Sequence, residues 1–276
     1  MKSVEDKLAG IQYLGLSGVT HMCKDAIIRL FQSNKMIERA RLLTSSDTHC
    51  FMLMLDRGEK IAVKSGFSSG YSGAGPSALS YVITLFEAFD VEVDELYVEK
   101  EVIQRIDKSC LTVEDVELII GSKPKHPNRV FDYVFEEDYK LKESGKLWMN
   151  FKPVIPFSII DQRLSDLAIS FWESPDEKIM KGYRRFEDII RKRTDLNSHG
   201  SKLFSEAFRG EDSKLTWDGL DPGELQGRVN LMTGSFMAYR NPRAHQENTH
   251  TLEDCLHEFL LLNHLFKLES ESIDVS

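Results

Sequence analysis

The chain predicts an α+β unit followed by an all-helical bundle, and three observations carry that reading. Residues 1 to about 125 mix strand-like and helix-like apolar spacings, whereas from about 157 onward every periodic segment is helical. Between them, "SKPKHPNRVFDYVFEEDYKLKESGKLWMNFKPVIP" holds four prolines and mixed charge, the composition of a connecting region that has room for one or two extra strands. The expected domains are therefore 1–145 and 146–276, the first a sensor or regulatory part that includes the connection.

Composition sets the frame for both parts. With 276 residues and 41% hydrophobic content, the chain can fill one large core or two ordinary ones. The start "MKSVEDKLAGIQYLGLSG" carries Glu5, Asp6 and Lys7 where a secretory signal needs an unbroken apolar stretch, and no run reaches the length of a membrane span. A cytoplasmic location without membrane attachment is expected. Cys23, Cys50, Cys110 and Cys255 are far apart and form no CxxC pair, which predicts reduced, mostly buried thiols and no cysteine zinc site. A net charge of −9 argues against broad nonspecific nucleic-acid binding but leaves room for a local basic site.

In the first part, "GVTHMCKDAIIRLFQSNKMIERARLLT" (18–44) spaces Met22, Ile27, Leu30, Phe31 and Ile37 as an amphipathic helix does. "CFMLML" (50–55), "DRGE" (56–59) and "KIAVKSGF" (60–67) predict a β-hairpin around Gly58. "PSALSYVITLFEAF" (76–89) reads as a helix with Pro76 in its first turn, and Thr112 with Asp115 forms a capping-box spacing. The stretch "GFSSGYSGAGPSALSY" (66–81) has two readings. It is either a glycine-rich strand-to-helix turn that uses positive φ, or an anion-binding nest in which Gly73 and Gly75 allow close approach and Ser77 contacts the ligand. It matches neither GxGxxG nor a Walker motif.

In the second part, "IPFSIIDQRLSDLAISFWES" (155–174) places Ile159, Ile160, Leu164, Leu167, Ala168 and Phe171 on one helical face. "DEKIMKGYRRFEDIIRKR" (176–193) turns Ile179, Tyr183, Phe186 and Ile190 inward and carries Lys181, Arg184, Arg185, Arg191, Lys192 and Arg193. These cations form either a solvated helix face or a phosphate-facing surface. A short helix over 201–210 follows, then a long one over 223–241 with Val229, Met232, Phe236 and Tyr239 inward, and a last one over 251–272 opened by Thr251 and Asp254. Leu256, Phe259, Leu260, Leu261, Leu262, Leu265 and Phe266 cover more than one face of that last helix, which predicts a homodimer.

Just before it comes "FMAYRNPRAHQE" (236–247). Pro242 lacks an N–H and disfavours α geometry at Asn241, so the helix is expected to stop there, with Arg240 at its end. The break would let Arg240 and His245 converge, although they would lie about 140° apart on an unbroken helix. A guanidinium forks onto phosphate and an imidazole titrates near neutrality, so the pair could cleave RNA through its 2′-hydroxyl. The bland alternative is a capping Arg and a satisfied loop His.

The Arg-x4-His pattern ahead of the last helix resembles the HEPN superfamily. The stretch 157–268, from "GYRRFEDIIRKRT" through "GSKLFSEAF" and "ELQGRVNLMTGSFMAYRNPRAH" into "CLHEFLLLNHLFKL", resembles its Ymh-type branch of uncharacterised bacterial and phage-associated proteins. The resemblance implies a helical bundle, usually a homodimer, with Arg and His of both protomers lining a shared cleft. It also implies metal-independent endoribonuclease chemistry in toxin or antiphage systems. It marks Arg240, Asn241 and His245 as the motif and Glu187 as an acidic position near it, with Arg184, Arg185 and Arg243 as candidate RNA-phosphate contacts. No metal or cofactor is expected. RNA is the expected substrate, and a small nucleotide or a phage-derived trigger could act at the first domain. Two other functions stay open: a noncatalytic HEPN dimerisation or docking module, and a receptor that binds a phosphorylated signal at "GYSGAGPS".

Overall fold

The computed structural model describes residues 7–124, 129–245 and 250–275, and the side chains of Ala244 and His245 lie outside that set. The chain divides into two compact units, 1–152 and 153–276. The division falls after Lys152 rather than near 145 because Leu147 is buried in the core of the first unit and its carbonyl accepts a 2.8 Å hydrogen bond from the Tyr81 hydroxyl.

The first unit, expected as α+β, does combine helices with one five-stranded sheet, and helices cover both faces of that sheet in three layers. Strands β1 (Gln12–Leu14), β2 (Ile37–Ser45), β3 (Thr48–Leu55), β4 (Lys60–Ser68) and β5 (Glu92–Tyr97) form one sheet in the order β1-β4-β3-β2-β5. β3 is antiparallel to both neighbours, while β1 runs parallel to β4 and β5 parallel to β2. Strand alternation sends Ala40, Leu42, Phe51, Leu53, Ile61 and Val63 to one face, where they pack against α1 (Thr20–Gln32) and α2 (Ala74–Ala88). Leu43, Cys50, Met52 and Ala62 go to the other, under α3 (Lys100–Asp107) and α4 (Val113–Gly121).

That double covering explains the wrong expectation over 18–44. The helix ends at Gln32, Asn34 takes φ 58°, and Ile37–Ser45 is a central strand. A strand buried on both faces reads as a nearly continuous apolar run, which period alone does not separate from helix. The expected hairpin is present, and Arg57 and Gly58 both take positive φ in its loop. The capping box of Thr112 and Asp115 is formed. Among the described residues of 122–156 there is no strand; 3₁₀ turns over Arg129–Tyr133, Asp138–Lys140 and Lys146–Asn150 take its place.

The second unit is helical apart from a small pair of strands, β6 (Leu215–Thr216) with β7 (Ile273–Asp274). Its helices are α5 (Ser165–Ile169), α6 (Pro175–Thr194), α7 (Gly200–Phe208), α8 (Pro222–Ser235), α9 (Asn241–His245) and α10 (Leu252–Ser270). Ile179, Tyr183, Phe186 and Ile190 of α6 are all fully buried, each such side chain contributing about 1.5–3 kcal/mol. A Cβ on Gly182 would meet Leu262 Cδ2 at 2.4 Å, so this glycine lets α10 approach α6 closely.

Residues 155–174 do not form the single helix expected. They break into 3₁₀ turns over Phe157–Ile159, Gln162–Leu164 and Phe171–Glu173 around the short α5, and Ile159 is exposed. Asn263 supplies a cause: its Oδ1 accepts from Asp161 N at 2.7 Å and its Nδ2 donates to Ile159 O at 3.0 Å, which takes up backbone groups that a helix would pair internally.

Candidate active site around Arg240

The helix bearing the motif does not stop at Asn241. After α8 the backbone widens into a π-helical turn, Phe236–Arg240, closed by Asn241 N donating to Phe236 O, and helix resumes as α9 through His245. The physical reason lies in Pro242: its ring would strike the carbonyl one α-turn back and has no N–H to give it. An i→i−5 turn relieves that conflict without ending the helix. Positions 240 and 245 therefore stay about 140° apart, and the expected convergence through a helix break does not occur. The His245 side chain lies outside the described residues.

Arg240 is partly exposed, its side chain at 27%. Its Nη2 lies 3.5 Å from Glu187 Oε2, and Glu187, on α6, is buried. The other oxygen, Glu187 Oε1, accepts the Gly200 N–H at 2.7 Å and so holds the first residue of α7. One buried carboxylate thus joins the end of the π turn to a helix N-terminus. Among the described residues, the buried Arg240 Nε has no hydrogen-bond partner and Nη1 has only a 3.5 Å contact to the exposed Asn241 Oδ1. Most of the five guanidinium donors thus have no acceptor among those residues.

Arg243 is different. Its side chain is 1% exposed, Nε and Nη2 reach Glu258 Oε2 at 2.7 and 2.6 Å, Nη1 binds Asp176, and Nη2 lies 3.7 Å from Cys255 Sγ. Burial alone would lower its pKa, but the Glu258 hydrogen bond and charge more than offset that and raise it. Arg243 ties α9 to α10 and α6 and has no face open to a phosphate, which corrects its assignment as an RNA contact. Glu258 escaped notice in the sequence, although a lone acid inside "CLHEFLLL" is the signal a buried partner leaves.

The cationic stretch of α6 is largely neutralised. Arg185 makes a two-pronged contact with Asp166 at 2.6 and 2.9 Å, whose hydrogen bonds hold the Asp166 carboxyl below its usual range. Lys181 pairs with Glu177, Arg191 with Asp188, and Arg193 with Glu269 and Asp274. Arg184 is exposed. The solvated-face alternative accounts for most of this cluster.

In the first unit, the glycine-rich loop is packed by its own side chains. Gly73 has extended φ of 171° and Gly75 is helical, and the positive φ expected of this turn is found at Gly70, 84°. A Cβ at Gly75 would fall 2.0 Å from Ser68 Oγ, and Ser77 Oγ donates to Gly73 O at 2.9 Å. Both glycines are explained by close packing within the loop.

Tyr239 is 41% exposed rather than inward, and Met237 is 62% exposed beside it. In α10, Leu256, Phe259, Leu262, Leu265 and Phe266 are buried within the chain's own core. Leu260 packs on that core as well, so most of the helix's apolar surplus is used inside one protomer, with Leu261 left partly exposed.

Residues 165–268 match Hypoth_Ymh, described as "Protein of unknown function (Hypoth_ymh)". The Ymh-type region thus runs from the start of α5 nearly to the end of α10 and includes Glu187 and the whole Arg-x4-His motif. No curated protein matches the chain. A solved chain titled "Respiratory complex I from Thermus thermophilus" is 19% identical over 44% of this chain and 99% of its own, with a TM-score of 0.36, too low to carry an argument. Among the described residues, no helix is long and apolar enough to cross a membrane.

Proposed function

We propose that the Ymh-type unit is a HEPN endoribonuclease that needs no metal and serves as the effector of an antiphage or toxin-type system. Arg240 carries the reading: it is the motif cation with an unpartnered buried Nε, set in place by Glu187 beside the N-terminus of α7. That leaves donors for a nonbridging phosphate oxygen and for the charge that builds on a phosphorane. The RNA 2′-hydroxyl attacks phosphorus, its proton passes to a base, and the departing 5′-oxygen takes a proton from an acid, His245 filling one of these roles. A helix that holds positions 240 and 245 about 140° apart favours a composite site, Arg240 of one protomer with His245 of another. The exposed Met237 and Tyr239 next to the motif supply apolar surface for that pairing. The same divergence favours, as a second reading, a noncatalytic docking module in which Arg240 is dispensable.

The test is cleavage of single-stranded RNA and of matching DNA by the purified chain in EDTA. RNA alone should be cut, leaving 2′,3′-cyclic phosphate ends, because DNA lacks the nucleophile. Arg240→Ala and His245→Ala should each be inactive, and mixing the two should restore activity by rebuilding one intact composite site. Cleavage that persists on DNA or depends on added magnesium ends the ribonuclease reading, and full activity in both variants ends it equally.

A further inference from the structure

The carboxyl ends of β2, β4 and β5 and the start of β3 meet at one edge of the first unit's sheet, and a chain of polar side chains crosses that edge. Ser69 Oγ lies 2.8 Å from His49 Nε2, and His49 Nδ1 lies 2.9 Å from Thr44 Oγ1. Thr44 Oγ1 in turn donates to Glu95 Oε1 at 2.6 Å, and the Tyr133 hydroxyl donates to the same oxygen at 2.8 Å. Thr44, His49 and Glu95 are at most 3% exposed.

Proton counting fixes the direction of every link. Glu95 Oε1 receives two hydroxyl donors, so it carries no proton itself. Thr44 has one hydroxyl proton and gives it to Glu95, so toward His49 it can only accept, and the proton sits on Nδ1. Burial lowers the His49 pKa to about 4, outweighing the raising effect of Glu95 and Asp47, so the ring is neutral at pH 7. Nε2 then bears the lone pair, and the bond from Ser69 has the hydroxyl as donor. This is the polarity of a hydroxyl poised to lose its proton as it attacks.

The surroundings suit that role. Ser69 N is anchored to Asp47 O at 3.0 Å, and His49 is closed off while Ser69 is half-buried, so a reagent can reach the hydroxyl but not its base. The N–H groups of Gly70 and Tyr71, directly after Ser69, have no hydrogen-bond acceptor among the described residues. The edge itself lies where the strands of α/β sheets commonly present a ligand crevice.

We propose that Ser69 is a nucleophile with His49 as its base, Thr44 and Glu95 being positioning residues, and that the site accepts small activated esters. Ser69 Oγ bonds the acyl carbon while its proton moves to His49 Nε2 and on to the leaving phenolate. Water then breaks the acyl-serine ester, its proton taking the same path and returning to Ser69. With a fluorophosphonate, phosphorus takes the place of the acyl carbon, fluoride leaves with the proton, and the adduct stays.

The experiment treats the full chain with a biotinylated fluorophosphonate and, separately, p-nitrophenyl acetate. Mass spectrometry should place the adduct on Ser69, with labelling lost in Ser69→Ala but kept in Ser68→Ala and Ser72→Ala. His49→Gln should slow labelling by about 10² or more. Thr44→Val should slow it as well, and Thr44→Ser, which restores the hydroxyl, should recover it. A folded protein that takes no adduct at Ser69, or a folded His49→Gln that labels at the wild-type rate, overturns the assignment. Should His49→Gln not fold, the Thr44 pair decides: a folded Thr44→Val that labels at the wild-type rate overturns the proposal.

Discussion

The two units each bury an arginine against acids, yet they leave opposite remainders. In the first, every nitrogen of Arg41 is engaged: Asp94 receives Nε and Nη2 at 2.6 and 2.7 Å, and the carbonyls of Ile119 and Ser122 accept from Nη1. In the second, Arg243 is similarly filled, but Arg240, three residues earlier on the same helical path, is not. Identical chemistry serves as a fastening where every guanidinium nitrogen is engaged and as a candidate reaction site where one is left over. Local hydrogen-bond completeness, more than residue type or burial, separates the two.

The sharpest way to break this comparison is to remove the two motif arginines separately. Arg240→Ala should lower RNA cleavage by about 10² to 10⁴ at a smaller cost in stability than Arg243→Ala, since its contact to buried Glu187 is a long 3.5 Å and Glu187 keeps the hydrogen bond from Gly200 N–H. Arg243→Ala should instead destabilise the bundle by about 3–5 kcal/mol, because Glu258 is left buried without its counterion. Denaturant melts of both variants beside cleavage rates check the pair. If Arg240→Ala unfolds the unit, or Arg243→Ala leaves it as stable as before, saturation is the wrong criterion.

A smaller effect separates the units by pH. His49 has a folded pKa of about 4, below the unfolded value near 6.5, so the unfolded chain binds a proton first. Its contribution is complete above about pH 6.5 and is lost as pH falls toward 4, a change of about 3 kcal/mol at most. Stability of the first unit should therefore drop across that window, and His49→Gln should flatten the drop. An unchanged slope in that variant would place the titration elsewhere. The smallest effect is at the caps: Thr112→Ala and Thr251→Ala should each cost about 1 kcal/mol by thermal melting, since each removes one half of a formed capping box.

Much of this was legible because it is written in local patterns. The buried face of α6, both capping boxes, the Arg57–Gly58 hairpin and the helical character of the second unit follow from spacings of a few residues. What escaped depends on partners distant in sequence. β2 looks like helix until both of its faces are known to be covered, and 155–174 looks like helix until Asn263 takes its backbone groups. Around the motif, the residue types of Arg240 and Glu187 were readable, whereas the burial of Arg243 depends on Glu258 and Asp176, both far along the chain. The Ser69–His49–Thr44–Glu95 relay joins four stretches that only sheet order brings together, and no spacing announces it.

The π turn has one further consequence. A helix that makes room for a proline in this way holds one residue more than an α-helix of the same span, so what it stores is a count rather than a contact. Deleting Ala238, an exposed residue, would remove that extra count and let the turn tighten to α geometry with the residues beyond it close to their present phase. The burden would then fall on Pro242, whose ring would again face the carbonyl one α-turn back, at about 3 kcal/mol or more. The length of this segment is thus matched to its proline.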